Sequence, residues 1–308
     1  MSPLIKPILV VMVYRGGARF SRCLDSIVGN EHLFSRILIS VTSERTSQDM
    51  SIAHEYLRNH PDSIIEVICT GVELPTMQHQ AFWVDHLEQT GVQSTEWIYW
   101  LAYDDQIRAK GIEALLDTSG SWPLTQGTAY FGPWAMRHEQ ADEVFAGPWD
   151  QILESWTSFP LSGPTTLPVL DWITLQLKQP TYMQMSGSVC TFESFLQVRK
   201  GHPRKHGPMR IEMAVASATC NKYVNEFPDP VSIIYGRPNS DRASYGKLAR
   251  KEDHHLLLWL VRYGIVHPTK IPSLMKSAIG VLVSRLGIDN EANNRVEESW
   301  LVRAEVQP

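Results

Sequence analysis

Residues 97–105 read Trp-Ile-Tyr-Trp-Leu-Ala-Tyr-Asp-Asp, an apolar run that ends in two adjacent carboxylates, Asp104 and Asp105. Neighbouring carboxylates repel each other. The arrangement is tolerable where they hold a hard divalent cation or the solvated hydroxyls of a ribose. The same pair also suits a solvated turn capping the next helix, because Asp is favoured at a helix N-cap. Spacing alone does not choose between the two. A second cluster is cationic: Arg199, Lys200, Arg204, Lys205 and Arg210 stand with His202 and His206 around Pro203 and Pro208. A loop of this kind can close on a diphosphate or an anionic acceptor, or it can simply face water. Pro203 argues against a helix presenting both histidines to one metal.

The elements that must position these groups are legible from hydrophobic patterning. Residues 8–13 form a short, nearly continuous apolar run, as expected of a strand buried on both faces. Phe20, Leu24, Ile27 and Val28 then recur at helical spacing. Residues 37–41, 64–69 and 97–101 read as further strands, and residues 52–57 and 77–87 as helices. Strands alternating with helices predict an α/β fold with a mostly parallel sheet covered on both faces. Ligands bind such sheets beyond the carboxyl ends of the strands. Residues 14–17, 42–44, 70–71 and 102–105 are therefore the positions to watch, with Tyr14 and Arg15 first among them.

Beyond residue 111 the pattern becomes loop-rich and aromatic, with Trp122, Trp134, Trp149, Trp156 and Trp172 in this part of the chain. Residues 182–192 read as a strand, 199–210 as the basic loop, 211–223 as a helix and 231–235 as a strand. From residue 250 the reading is helical. Residues 271–286 carry an apolar stripe flanked by Lys270, Lys276 and Arg285, suited to packing or to lying on an anionic membrane surface.

Composition bounds the class. The 308 residues are 43% hydrophobic and carry a net charge of −5. That is too apolar for a disordered chain and not basic enough for a dedicated nucleic-acid binder. No stretch of about 18 uninterrupted apolar residues is present to span a membrane. Residues 1–17 superficially resemble a secretion leader, but Pro7 interrupts the run and Tyr14-Arg15 replaces a cleavage site. Cys23, Cys69, Cys190 and Cys220 lie far apart with no C-x-x-C pair, so a reducing, cytoplasmic setting is expected.

The order of segments adds a resemblance. PILVVMVYRGGARFSRCLDSI, SRILISVTSE, TGVELPTMQHQAFWVDHL and WIYWLAYDDQIRAKGIEALL together resemble the nucleotide-binding half of glycosyltransferase family 2. Within them Cys23-Leu24-Asp25-Ser26-Ile27 matches the family's first-helix pattern, and Asp104-Asp105-Gln106-Ile107 its acidic motif. Glu212 opens a helix where the family places a Glu-Asp motif. Residues 235–240, Tyr-Gly-Arg-Pro-Asn-Ser, are similar to its later Y-x-R-x-H-x-x-S stretch. The likeness spans roughly residues 7–245. It departs at Ala102, which stands where the family has an earlier acid. It departs also at Thr42-Ser43-Glu44, where many members have Asp, at Gln78-His79-Gln80 in place of an Arg-Asn pair, and at Asn239 in place of His.

The resemblance implies the GT-A fold, with residues 1–115 as a nucleotide-sugar-binding half, 116–249 as an acceptor-binding half and 250–308 as a C-terminal helical extension. It implies an inverting, metal-dependent glycosyltransferase of the surface-polysaccharide or O-antigen type, using Mn²⁺ or Mg²⁺. The donor would be a nucleoside-diphosphate sugar, a UDP-sugar first among them, and the acceptor a saccharide or lipid-linked saccharide. Glu212 would be the catalytic base and Asp105 the metal ligand. Tyr14, Arg15, Glu44, Gln78, Asp104 and Arg237 would bind the donor. Trp134, Trp149, Arg204 and Lys205 would meet the acceptor, the aromatic rings of this region stacking on sugar faces. Three rivals compete: a degenerate GT-A module that binds without catalysis, a sugar-nucleotide pyrophosphorylase suggested by Arg15-Gly16-Gly17-Ala18-Arg19, and a dehydrogenase. The second lacks its longer Gly-rich loop and the third its G-x-G-x-x-G.

Overall fold

The computed structural model describes residues 4–132, 134–138, 156–157, 166–169, 171–172, 186–201 and 220–236. Its first half is a regular alternation: β1 (Ile8–Val13), α1 (Ala18–Ile27), β2 (Arg36–Val41), α2 (Gln48–Asn59), β3 (Ile65–Cys69), α3 (Thr76–Gln89) and β4 (Trp97–Ala102). All six residues of β1 are buried, the reason its sequence is apolar without alternation. Ser47 caps α2 by accepting the Met50 N–H at 3.3 Å, and α2 stops at His60, just before Pro61.

The chain continues through β5 (Gln106–Ile107), α4 (Ala109–Leu115), β6 (Thr128–Phe131), β7 (Trp134–His138), β8 (Trp156–Thr157), β9 (Thr166–Pro168), β10 (Ser188–Thr191), α5 (Phe192–Gly201), β11 (Tyr223–Glu226) and β12 (Ser232–Gly236). Among the described residues the main sheet has eight strands, ordered β3-β2-β1-β4-β10-β6-β11-β9. β10 and β9 run against the others, so the carboxyl ends of β1, β2, β3, β4, β6 and β11 share one edge. A smaller sheet is ordered β5-β12-β7-β8.

Two apolar clusters cover the main sheet. On one face Ile8, Val10 and Met12 pack with Met77, Trp83 and Leu87 of α3 and with Phe192, Phe195 and Val198 of α5. On the other, Leu9, Val11 and Val13 pack with α1, α2 and α4. Helices on both faces are what the patterning predicts.

Several expectations for the second half need correction. The loop-rich reading missed β6 and β7, because both strands are short and β6 stops directly before Gly132. Arg199 belongs to α5, whose Phe192, Phe195 and Val198 form a helical stripe, and it pairs with Asp85 and Glu88 of α3. Tyr223 starts a strand, not the end of a helix. Trp122 and Trp172 are core residues. The Trp122 indole N–H donates to the Leu33 carbonyl at 3.0 Å, and the Trp172 ring stacks on Phe131 at 5.0 Å. Residues 250–308 and positions 211–219 of the helix expected over 211–223 lie outside the described residues. No helix among the described residues is long and apolar enough to cross a membrane.

His79 of α3 shows how this core handles a titratable group. It is 2% exposed, with Nε2 2.8 Å from the Ser40 hydroxyl of β2. Burial lowers its pKa to about 4. The folded chain thus holds a neutral imidazole, whereas the unfolded chain binds a proton near pH 6.5. Stability is complete above about pH 6.5 and falls as pH drops toward 4, where the loss reaches about 3 kcal/mol. Urea midpoints between pH 7 and 4 are expected to fall more steeply for the native sequence than for His79→Gln. Parallel slopes would refute this assignment.

Candidate functional site

The strand order 3-2-1-4 reverses between β1 and β4, the switch point where open α/β sheets form a ligand crevice at their carboxyl edge. Two loops meet there. Residues 14–17 follow β1 and residues 103–105 follow β4. They touch directly: a Cβ on Gly16 would lie 2.9 Å from Tyr103 Cδ2 and 2.6 Å from Phe20 Cβ, so only glycine fits.

The first loop is held by a carboxylate. Asp49, in the first turn of α2 and 4% exposed, accepts the Gly16 N–H at 3.0 Å through Oδ2 and the Gly17 N–H at 2.9 Å through Oδ1. Arg15 has φ of +50°, the one non-glycine positive φ among the described residues. Its guanidinium makes a two-pronged contact with Glu73, at 2.9 Å on each prong. That pair stands in water and contributes little; the buried Asp49 contacts secure the loop. Tyr14, exposed and lying under the Arg15 guanidinium, forms the rim together with exposed Val72 beyond β3.

The acidic loop is more deeply seated. Asp105 is 4% exposed, and its Oδ1 accepts the Tyr235 N–H at 3.1 Å. Asp104 is half-buried, and its carbonyl oxygen accepts from Arg22 Nη2 at 3.0 Å. Cys23 of α1, whose Sγ lies 4.0 Å from the Ala102 carbonyl oxygen, has its thiol pushed well up by burial and by the charges of Asp105 and Asp104. On the far side of β4, the Ser186 hydroxyl accepts the Ala102 N–H at 3.1 Å, and the Gly187 N–H bonds the Trp100 carbonyl at 2.8 Å. The entry to β10 thereby reaches the same edge.

Two other expected donor-binding residues, Glu44 and Gln78, lie on this edge but are less committed. Glu44 is exposed in the turn before α2, and Gln78 is half-buried in the first turn of α3. Gln80 is the fully buried amide of that helix, with neither amide atom hydrogen-bonded. Thr42, at the position expected to hold an acid, instead accepts the Leu74 N–H at 2.7 Å and ties β2 to the loop after β3. Glu212, Arg237, Trp149, Arg204 and Lys205 lie outside the described residues, and Trp134 is described only as backbone in β7.

Three residues of this edge carry no sequence signal that singles them out. Asp49 reads as an ordinary acidic residue at a helix start. Arg22 sits in a helical pattern. Glu226 ends β11 on the shared edge, 8% exposed, its carboxyl pushed up to about 7 by burial.

The chain has the GT-A fold: a mostly parallel Rossmann-like sheet with helices on both faces. Among solved structures it is similar to S. aureus TarS 1-349 in complex with UDP-GlcNAc, at 11% identity and a TM-score of 0.54 over 83% of this chain and 67% of that one. It also matches a mannosyltransferase, PcManGT from Pyrobaculum calidifontis in complex with GDP-Man and Mn²⁺, at 11% identity and a TM-score of 0.42 over 100% of this chain and 82% of that one. GalNAc-T7 with UDP, GalNAc and Mn²⁺ is matched at 11% identity and a TM-score of 0.47, over 77% of this chain and 44% of that one. No family model matches the sequence, and no curated protein does.

Proposed function

We propose that this chain is an inverting glycosyltransferase of the family 2 kind. It moves a sugar from a nucleoside-diphosphate sugar, a UDP-sugar first among them, to a saccharide or lipid-linked saccharide acceptor. The observation that carries the reading is the meeting of the Tyr14–Gly17 loop and the Asp104–Asp105 loop at the switch point of a GT-A sheet. The fold shared with TarS, whose structure holds UDP-GlcNAc, supports the donor class.

A divalent cation fits the donor set. Mg²⁺ and Mn²⁺ take one or two hard carboxylate oxygens and complete their shell with phosphate oxygens and water. Asp105, with one oxygen already accepting a backbone N–H, and the more accessible Asp104 are the residues that would hold it. Among the described residues no group of three acidic, histidine or cysteine side chains gathers, so phosphate and water must supply the rest. Bound there, the ion would neutralise charge developing on the departing diphosphate. The acceptor hydroxyl attacks the anomeric carbon as the bond to the diphosphate breaks, and its proton passes to a carboxylate. Glu212 is proposed as that base. Tyr14 and Arg15 line the base and diphosphate side, with Glu44, Gln78 and Arg237 as further donor contacts. Trp134, Trp149, Arg204 and Lys205 are proposed for the acceptor.

A second reading has its own observation. Asp105 is buried and engaged with β12, as a purely structural carboxylate would be, which also fits a GT-A module that binds without catalysis. Calorimetry with UDP, GDP, CDP and ADP, with and without Mn²⁺, separates them. Metal-dependent binding of one diphosphate is expected, with Asp105→Ala weakening it by at least about 100-fold, as loss of a charged ligand does. Glu212→Gln is expected to keep that binding and abolish transfer. Binding without turnover in the native chain would establish the module. Silence toward all four diphosphates would sink both readings.

A further inference from the structure

Arg22 lies on the buried side of α1, in line with Phe20, Cys23, Leu24 and Ile27, and is itself 4% exposed. A leucine would fill that stripe without the desolvation that a guanidinium suffers. What the arginine does there is specific. Its guanidinium carbon lies over the Tyr235 ring, 3.6 Å from the centroid, and Nη2 donates to the Asp104 carbonyl at 3.0 Å. The Arg22 carbonyl accepts from Gln106 Nε2 at 3.0 Å, and Gln106 Oε1 accepts the Tyr235 hydroxyl at 2.5 Å. Tyr235 closes the circuit by donating its N–H to Asp105.

A planar, five-donor group can stack on a ring and donate in its own plane at once; an ammonium cannot. The circuit joins α1, the acidic loop and β12, three segments far apart in sequence. We propose that Arg22 is a positioning residue for the acidic loop: stacked on Tyr235, it fixes the backbone at Asp104 so that both carboxylates are presented together to a divalent cation. This rests on the metal-dependent reading above and names the device behind it.

The test is Mn²⁺ titration of the full chain with UDP present, or GDP where calorimetry selects it, following the free ion by its paramagnetic resonance signal. Circular dichroism reports the folded fraction. Arg22→Met is expected to weaken Mn²⁺ binding about 10–100-fold in the folded protein, the usual cost of losing an outer-shell support. Arg22→Lys, which keeps the charge but not the fork, should recover only part of it. Tyr235→Leu removes the ring while keeping the N–H to Asp105; it should shift affinity the same way, and it carries the test if Arg22→Met does not fold. Affinities within twofold of the native chain, or a loss that merely tracks the unfolded fraction, overturn the inference and leave the proposed function standing. A native chain that takes up no Mn²⁺ with either diphosphate overturns both.

Discussion

Replacing Asp49 with alanine is expected to remove about 3 kcal/mol of stability and to weaken nucleoside-diphosphate binding at the same time. The carboxylate serves two consecutive N–H groups, of Gly16 and Gly17, from a site 4% exposed. A hydrogen bond to a charged acceptor contributes about 1.5–3 kcal/mol, and a buried donor left unsatisfied costs a further share of that size. The two contacts are coupled, so their sum is an upper bound. The neighbouring Arg15–Glu73 pair cannot compensate, because both partners stand in water. Arg15 sits at φ of +50°, a strained conformation that persists only while its surroundings impose it. Without Asp49 the loop should relax. If the binding-competent form is then held only a tenth of the time, apparent affinity drops roughly tenfold. Asp49→Asn, with one acceptor oxygen left, should fall between. Urea unfolding and calorimetry check both halves, and a stability change under about 0.5 kcal/mol would mean that water replaces the carboxylate.

The second large effect is expected from Gly111→Ala. Helix propensity alone favours alanine by about 1 kcal/mol in α4. Packing reverses the sign. The new Cβ would lie 1.8 Å from the Pro230 carbonyl oxygen, 2.9 Å from its carbon and 2.7 Å from Arg108 Nη1. Backbone atoms have no rotamer in which to retreat, so the segment entering β12 must move. That motion strains the Arg108 contacts to the Pro230 and Val231 carbonyls, at 3.1 and 2.8 Å, and the Tyr99 hydroxyl bond to Val231 at 2.9 Å. A loss of about 3 kcal/mol or more is expected, at the upper end for overpacking. Because β12 carries Tyr235, the proposed metal-dependent binding should fall with it. A more stable variant in urea would show that the contact relaxes at no cost.

The architecture of the first half is readable because its strands are buried on both faces and its helices carry one apolar stripe each. Ile8 to Val13 and Trp97 to Leu101 have no other good use. The carboxyl-edge rule then points to Tyr14, Arg15 and Asp104. What stayed hidden was long-range. Asp49 looks like any helix-start acid, and only its spatial neighbours Gly16 and Gly17 give it a task. The burial of Asp105 comes from Tyr235, 130 positions away. Trp122 reads as a loop aromatic until Leu33, 89 positions earlier, takes its indole N–H. Local pattern carries elements, whereas partners chosen across the sheet carry the site.

The insertion of β10 between β4 and β6 bears on how the chain is made. Ala102 at the end of β4 waits for Ser186, 84 positions later. At about 5–20 residues per second, synthesis needs about 4–17 s to deliver that partner. Throughout that interval the nascent first half carries an unpaired, apolar edge, Trp97-Ile98-Tyr99-Trp100-Leu101, of the kind that seeds strand-to-strand aggregation. Expression yield should therefore depend on temperature and chaperone supply more than final stability would suggest, with the open side of β4 as the point of capture.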